Sequence, residues 1–158
     1  MRALLLELRP KALLETSLDK LVGQLIETFN TRYKTQARLE WEEPGNLPPD
    51  VRVTLYRIVQ EALNNIAKHA RATQVVVALR PHNGGMILSI RDDGRGFDLE
   101  KALSANHYGL KIMRERADGI SATLQVASQT GQGTEITLTW KGQDQAKALP
   151  REIGRAHV

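Results

Sequence analysis

The segment Met86-Ile87-Leu88-Ser89-Ile90-Arg91-Asp92-Asp93 constrains the fold more than any other stretch of the chain. Side chains alternate along a strand, so Met86, Leu88, Ile90 and Asp92 share one face, and Ile87, Ser89, Arg91 and Asp93 share the other. If the Leu88/Ile90 face lies on the core, Asp92 is an inward carboxylate and Asp93 points elsewhere. A buried carboxylate costs several kcal/mol unless a donor meets it. The strand then breaks at Gly94-Arg95-Gly96, where two glycines permit close backbone approach and positive φ.

The composition narrows the remaining possibilities. With 158 residues the chain fits one domain with a real core, and with 4% aromatic residues that core has to be aliphatic. It has no cysteine, which excludes disulfides and thiolate metal sites. No apolar run approaches the ~20 residues of a membrane span, and Met1–Leu8 is too short and too charged for a signal peptide. The balance of 22 basic against 18 acidic residues gives only +4, and no basic run is interleaved with stacking aromatics. Nucleic acid and membrane are therefore not expected partners of this segment, and a cytoplasmic setting is expected.

Along the chain, residues 2–9 read as a helix end stopped by Pro10. Ser17 sits at an N-cap position, and Leu18, Leu21, Val22, Leu25, Ile26 and Phe29 follow at helical spacing. Arg38–Trp41 reads as a short strand with Leu39 and Trp41 on one face. A helix is predicted from Asp50 to Ala70, with Leu55, Ile58, Val59, Ala62, Ile66 and Ala70 as its apolar stripe. Gln74–Arg80 and Met86–Arg91 form a hairpin about His82-Asn83-Gly84-Gly85. Phe97–Tyr108 is polar and aperiodic and reads as a mobile loop. Gly109–Gly119 is a helix with Leu110, Met113, Ala117 and Ile120 inward. Thr123–Val126 and Thr134–Trp140 make a second hairpin around residues 129–133, and periodicity stops after Lys141. The last six residues, Ile153–Val158, back-translate to a common sequencing-adapter sequence, so they are set aside from function, with a disordered native tail as the other reading.

Three places carry candidate chemistry. On the long helix, Glu61, Asn64, Asn65 and Lys68 share one polar face at ~100° per residue. A solvated face is one reading. The adjacent asparagines argue against it, because Asn competes with the helix backbone for hydrogen bonds and lowers propensity. An amide oxygen next to a carboxylate offers hard oxygen donors that suit Mg²⁺. Asn65 would ligate the metal, and Glu61, one turn away, would take or orient a proton of a metal-bound water. Lys68 reads equally as solvated or phosphate-facing. His69 lies nearer the apolar edge, where a partly buried structural histidine is the favoured reading. At the second place, the Asp92 turn, an adenine amino group would supply the missing donor, while an ordinary Asp-Gly turn stays open. Thr134 shares a strand face with Ile136, Leu138 and Trp140, so its hydroxyl would point inward towards Asp92 or the ring; a plain β-branched strand residue is the alternative. At the third place, Gly109 opens a helix whose unpaired amides suit phosphate oxygens, with Lys111 and Arg114 adding charge; helix capping beneath a solvated basic face stays open. There is no G-x-x-x-x-G-K-[ST] motif, which excludes a P-loop ATPase.

In order and spacing these elements resemble the GHKL ATPases over roughly residues 1–140. Glu61…Asn65…His69 resembles the N box, Asp92-Asp93-Gly94-Arg95-Gly96 the first glycine box, Gly109-Leu110 the second, and Gly133-Thr134 the Gly-Thr of the last strands. Glu7-Leu8-Arg9-Pro10 and His107–Arg116 are similar to sensor histidine kinases of the nitrate-sensor-like branch. The resemblance implies a two-layer α/β sandwich (the Bergerat or GHKL fold), with a mixed, mostly antiparallel sheet and helices on one face. Residues 1–10 would be the remnant of a dimerisation helix and junction, 11–141 the ATP-binding catalytic domain, and 142–158 a disordered tail. It implies ATP and Mg²⁺ as cofactors, with metal on Asn65, a base-like role for Glu61, adenine on Asp92 and phosphates near Gly109. Asn64, Lys68, His69, Gly94, Gly96, Tyr108, Leu110 and Thr134 complete the implied nucleotide set, with residues 97–108 as a lid. The γ-phosphoryl would pass to a histidine on a separate dimerisation domain, then to a response regulator. None of His69, His82, His107 or His157 lies in a suitable dimerisation helix, so the segment alone is not expected to autophosphorylate, and the parent protein is free to be membrane-anchored. The second glycine box is shorter than the G-x-G-x-G form. Other readings are a different GHKL ATPase, an anti-sigma-factor serine kinase, or a non-catalytic ATP-binding interaction module.

Overall fold

The computed structural model describes residues 16–42, 44–98, 100 and 108–142. The described elements run α1 (Leu18–Arg32), β1 (Gln36–Trp41), α2 (Pro49–Asn65), β2 (Gln74–His82), β3 (Gly85–Asp92), α3 (Tyr108–Gly119), β4 (Thr123–Ser128) and β5 (Thr134–Trp140). The strands form one sheet in the order β1-β2-β3-β5-β4. β1 and β2 are parallel and are joined by the crossover that parallel pairing requires, here carrying α2, and every other adjacent pair is antiparallel.

The alternation read from β3 holds: Met86, Leu88, Ile90 and Asp92 are buried while Arg91 and Asp93 are exposed. Register carries the same face across the sheet, through Val75, Val77 and Leu79 on β2 and Ile136, Leu138 and Trp140 on β5. The helices cover that face. α1 brings Leu21, Val22 and Phe29, α2 brings Leu55, Ile58 and Val59, and α3 brings Leu110, Met113 and Ala117 into one continuous core. The opposite face carries Arg38, Glu40, Arg91 and Gln125, all exposed. The structure is thus a two-layer α/β sandwich with an aliphatic core.

Turn chemistry sets the register. Asn83 and Gly84 have φ of 47° and 82°, the two positive values that a two-residue hairpin turn matched to strand twist requires. The Asn30 side chain clamps both backbone groups of Ala37, donating to its carbonyl at 2.9 Å and accepting its N–H at 2.7 Å. That clamp, with parallel pairing of Gln36 to Gln74, starts β1 two residues before the expected Arg38. Ser17 occupies the N-cap of α1 but makes no side-chain capping bond.

Two further element boundaries are corrected, and with the first the burial of His69. The helix predicted as continuous over Asp50–Ala70 is α-helical only to Asn65; Ile66–Ala70 is a π-helical turn, closed by Arg71 in the left-handed region at φ 54°. Its last carbonyls are redirected to the chain after β3: Arg95 N donates to the Ala70 carbonyl and Arg95 Nε to that of His69, both at 2.7 Å. The widened turn also changes the angular spacing assumed for Lys68 and His69, and His69 is exposed where partial burial was expected. The second correction concerns β4, which runs to Ser128 rather than Val126 because it pairs with β5 to the end of the register, Ser128 opposite Thr134. The expected helix at 2–9, most of the 97–108 loop and the tail beyond Gly142 lie outside the described residues. Among the described residues, no helix is long and apolar enough to cross a membrane.

Candidate functional site

Asp92 is the one polar or charged residue among the buried residues described, at 5% exposure. It ends β3 directly opposite Thr134 on β5. Its Oδ1 accepts the Gly94 N–H at 2.7 Å, and the Thr134 N–H also donates to the carboxylate. Burial pushes the Asp92 carboxyl above its ordinary value, the two amides oppose that shift, and the neighbouring Asp93 charge adds to it. Asp93 behaves in the opposite way. It accepts from the Thr73 hydroxyl, from Thr73 N at 2.8 Å and from Gln74 N at 3.0 Å. With the hydroxyl bond as the largest cause, its carboxyl is held below the usual value. Asp93 therefore staples the turn to the start of β2, while Asp92 faces the interior.

The interior there is a cavity of about 360 Å³, within the roughly 300–1,000 Å³ of small-molecule sites. Ala62, Ile66, Ala70, Ile90 and Ile136 give it apolar surface, with Phe97 beside them. Asp92 and Thr134 add polar groups, Arg95 and His69 lie on the lining, and Asn65, Gly109 and Leu110 line it as well. This combination suits a flat, largely apolar ring with a donor on its edge.

Glycine is needed where elements touch. A Cβ on Gly94 would lie 2.2 Å from the Ala70 carbonyl oxygen, so only glycine lets the turn dock on the end of the widened helix. A Cβ on Gly109 would lie 2.8 Å from Asn65 Nδ2 and 2.9 Å from Glu61 Oε2. The first turn of α3 thus sits directly against the polar groups of α2. Backbone amides at a helix start then lie next to a carboxylate and an amide, a setting for an anion and an accompanying hard cation. Among the described residues, no three His, Asp or Glu side chains gather to hold a metal ion. Two oxygen donors fit a cation such as Mg²⁺, which keeps several waters and shares its coordination with phosphates.

Of the residues singled out in the sequence, Asn65, His69, Asp92, Gly96, Gly109, Leu110 and Thr134 line this one cavity. Glu61 lies against Gly109, and Gly94 holds the turn behind Asp92. Asn64 and Lys68 are exposed and outside the lining. Tyr108 opens α3. Sequence reasoning missed Phe97, Arg95 and Ser128. The Ser128 hydroxyl accepts the Phe97 N–H at 2.9 Å and lies 2.8 Å from the Thr134 hydroxyl and 3.2 Å from the Gly133 carbonyl. A signal for it was present: a five-residue turn over 129–133 puts residue 128 opposite 134.

A carboxylate set at the end of an aliphatic strand, a glycine turn docked on a helix, and a second helix start facing that helix's amide define an ATPase fold. The chain belongs to the family of histidine kinase-, DNA gyrase B- and HSP90-like ATPases, whose model matches residues 50–144. Within that family it is similar to the sensor histidine kinase LiaS of Bacillus subtilis, with 39% identity over 137 residues covering 86% of this chain and 37% of LiaS. It is also similar to the sensor protein VraS of Staphylococcus aureus, with 37% identity over 136 residues covering 86% of this chain and 39% of VraS. The chain therefore spans less than two-fifths of the length of these curated relatives. Among solved structures, the ATP-binding domain of PrrB from Mycobacterium tuberculosis shares the fold at a TM-score of 0.62 and 19% identity, covering 81% of this chain and 96% of that one. A blue-light-activated histidine kinase of Erythrobacter litoralis does so at a TM-score of 0.68 and 22% identity, covering 80% of this chain and 42% of that one.

Proposed function

We propose that this chain is the ATP-binding catalytic domain of a two-component sensor histidine kinase. The observation that carries the reading is the single cavity joining a buried, amide-braced Asp92 to the Asn65–Gly109 contact. Asp92 accepts the exocyclic amino group of adenine, and the aliphatic surfaces of Ile90 and Ile136 pack on the ring. Gly109 and Leu110 offer backbone N–H groups to the phosphates at the start of α3. Asn65 would hold Mg²⁺, with Glu61 beside it; when bound, the metal would supply charge neutralisation to the phosphoryl group. Glu61 is the residue placed to hold or orient a proton there.

In this reading residues 11–141 are the catalytic domain and 1–10 its junction to a dimerisation domain, whose histidine receives the γ-phosphoryl before a response regulator does. The domain acts in the cytoplasm. A different GHKL ATPase or a serine kinase is less favoured, because LiaS is a sensor histidine kinase and VraS a sensor protein.

Calorimetric titration with Mg-ATP and with metal-free ATP tests the proposal. Saturable one-site binding, tighter with Mg²⁺, is expected. Absence of binding to either form at millimolar nucleotide overturns it. Radiolabelled phosphate should then pass from ATP to an added histidine-bearing dimerisation domain.

A further inference from the structure

Asp92, Thr134 and Ser128 form one row across three adjacent strands, β3, β5 and β4. The row is polar at the rim of an otherwise aliphatic face, and its hydrogen bonding is directional. A serine hydroxyl has one proton and two lone pairs. Ser128 Oγ faces three partners: the Phe97 N–H, which can only donate; the Gly133 carbonyl, which can only accept; and the Thr134 hydroxyl, which can do either. If the Ser128 proton goes to Gly133, both lone pairs are filled, one by Phe97 N–H and one by the Thr134 proton, and three bonds form. If it goes to Thr134 instead, Gly133 loses its serine donor and only two bonds form. Because an unmade bond to a partly buried polar group costs more than the alternative gains, the three-bond arrangement wins.

It follows that the Thr134 proton is committed to Ser128. Towards the cavity, Thr134 Oγ1 then presents lone pairs only, directly opposite an Asp92 carboxylate that also accepts. The wall is acceptor beside acceptor. Resting on the nucleotide reading above, we propose that Ser128 is a positioning residue for base selectivity. By holding the Thr134 proton, it makes the pocket disfavour a purine that turns a 6-carbonyl towards Thr134, even with its N1–H available to Asp92, relative to one with a 6-amino group there. Ser128 is outside the cavity lining, so it acts through Thr134 and not by touching the base.

The test is a pair of competition titrations, with ATP and with inosine triphosphate (both with Mg²⁺), on the wild type, Ser128→Ala and Ser128→Thr. The wild type should prefer ATP. In Ser128→Ala the Thr134 proton is released to face an inosine carbonyl, so the preference should shrink by about five- to tenfold, the worth of one hydrogen bond. Ser128→Thr keeps a hydroxyl and should keep the preference. A purely structural strut would weaken both nucleotides equally, so an unchanged ratio in Ser128→Ala overturns the proposal. Should Ser128→Ala fail to fold by circular dichroism, Thr134→Val decides: loss of the acceptor hydroxyl should shrink the preference, and an unchanged ratio overturns it. A wild type that binds both nucleotides equally overturns this inference alone; one that binds neither overturns the nucleotide reading itself.

Discussion

The two ends of the cavity are built differently. At the Asp92 end, the polar groups are tied to their neighbours: two amides on the Asp92 carboxylate, three bonds at Ser128, and Arg95 pinned to the Ile66–Ala70 turn through both backbone and side chain. At the Asn65 end, Glu61 and Asn65 meet the start of α3 through close contact at Gly109, and no hydrogen bond between their side chains and the described residues is found. The first end is preformed and recognises by fixed geometry. The second meets the described residues through close contact alone. Affinity for the base should therefore depend on rigid single contacts, and affinity for metal and phosphate on spacing between two helices.

The comparison can be broken by substitution. The largest effect is expected for Asp92→Asn, which replaces a charged acceptor with a neutral group that can also donate; affinity for ATP should fall roughly 10- to 100-fold, with or without Mg²⁺, in calorimetric titration. Next comes Gly109→Ala. Its methyl would meet the side-chain ends of Glu61 and Asn65, so those groups must shift, and Mg-ATP affinity should fall about tenfold through their misplacement. Equal losses for Mg-ATP and free ATP would contradict the assignment of that end to metal and phosphate. Asn65→Ala should lower the advantage of Mg-ATP over free ATP about fivefold and leave the base end intact.

The smallest effects concern pH, where the adjacent aspartates should show opposite slopes. Asp92 has a raised carboxyl pKa, so the folded state holds the proton more tightly than the unfolded chain, and this contribution is lost as pH rises through the folded value. Compared with Asp92→Asn, the ligand-free wild type should lose thermal stability as pH rises from the ordinary carboxylate range towards neutrality. Asp93 has a lowered pKa, so its contribution is present at neutral pH and fades as pH falls through the folded value. The advantage of the wild type over Asp93→Asn should shrink on acidification. Slopes of the same sign in differential scanning calorimetry would contradict the contrast drawn between inward and outward carboxylates.

Local periodicity made much of this legible. Alternation over 86–93 placed Asp92 inward, and helical spacing placed Leu110, Met113 and Ala117 in the core, because burial of one face is written into every second or every third and fourth residue. Ser128 and Phe97 were not found, since the hairpin signal pairs 128 with 134 but does not show that the Phe97 N–H, 31 positions away, donates to Ser128. The turn at Ile66–Ala70 was illegible for a different reason. Nothing in Ile-Ala-Lys-His-Ala departs from ordinary helix composition; the widening follows from the chain after β3 docking on its carbonyls, a contact that local sequence does not encode.

That widened turn has a consequence for how such a site can vary. It stands between Asn65 and the Ala70 carbonyl that seats Gly94, so the distance from one end of the pocket to the other is set by how many residues the backbone spends there. Removal of one residue between 66 and 70 would tighten the coil and bring the two ends together; an added residue would spread them. The gauge of the site is thus set by chain length in that turn, together with the side chains that Ile66, His69 and Ala70 place on the lining.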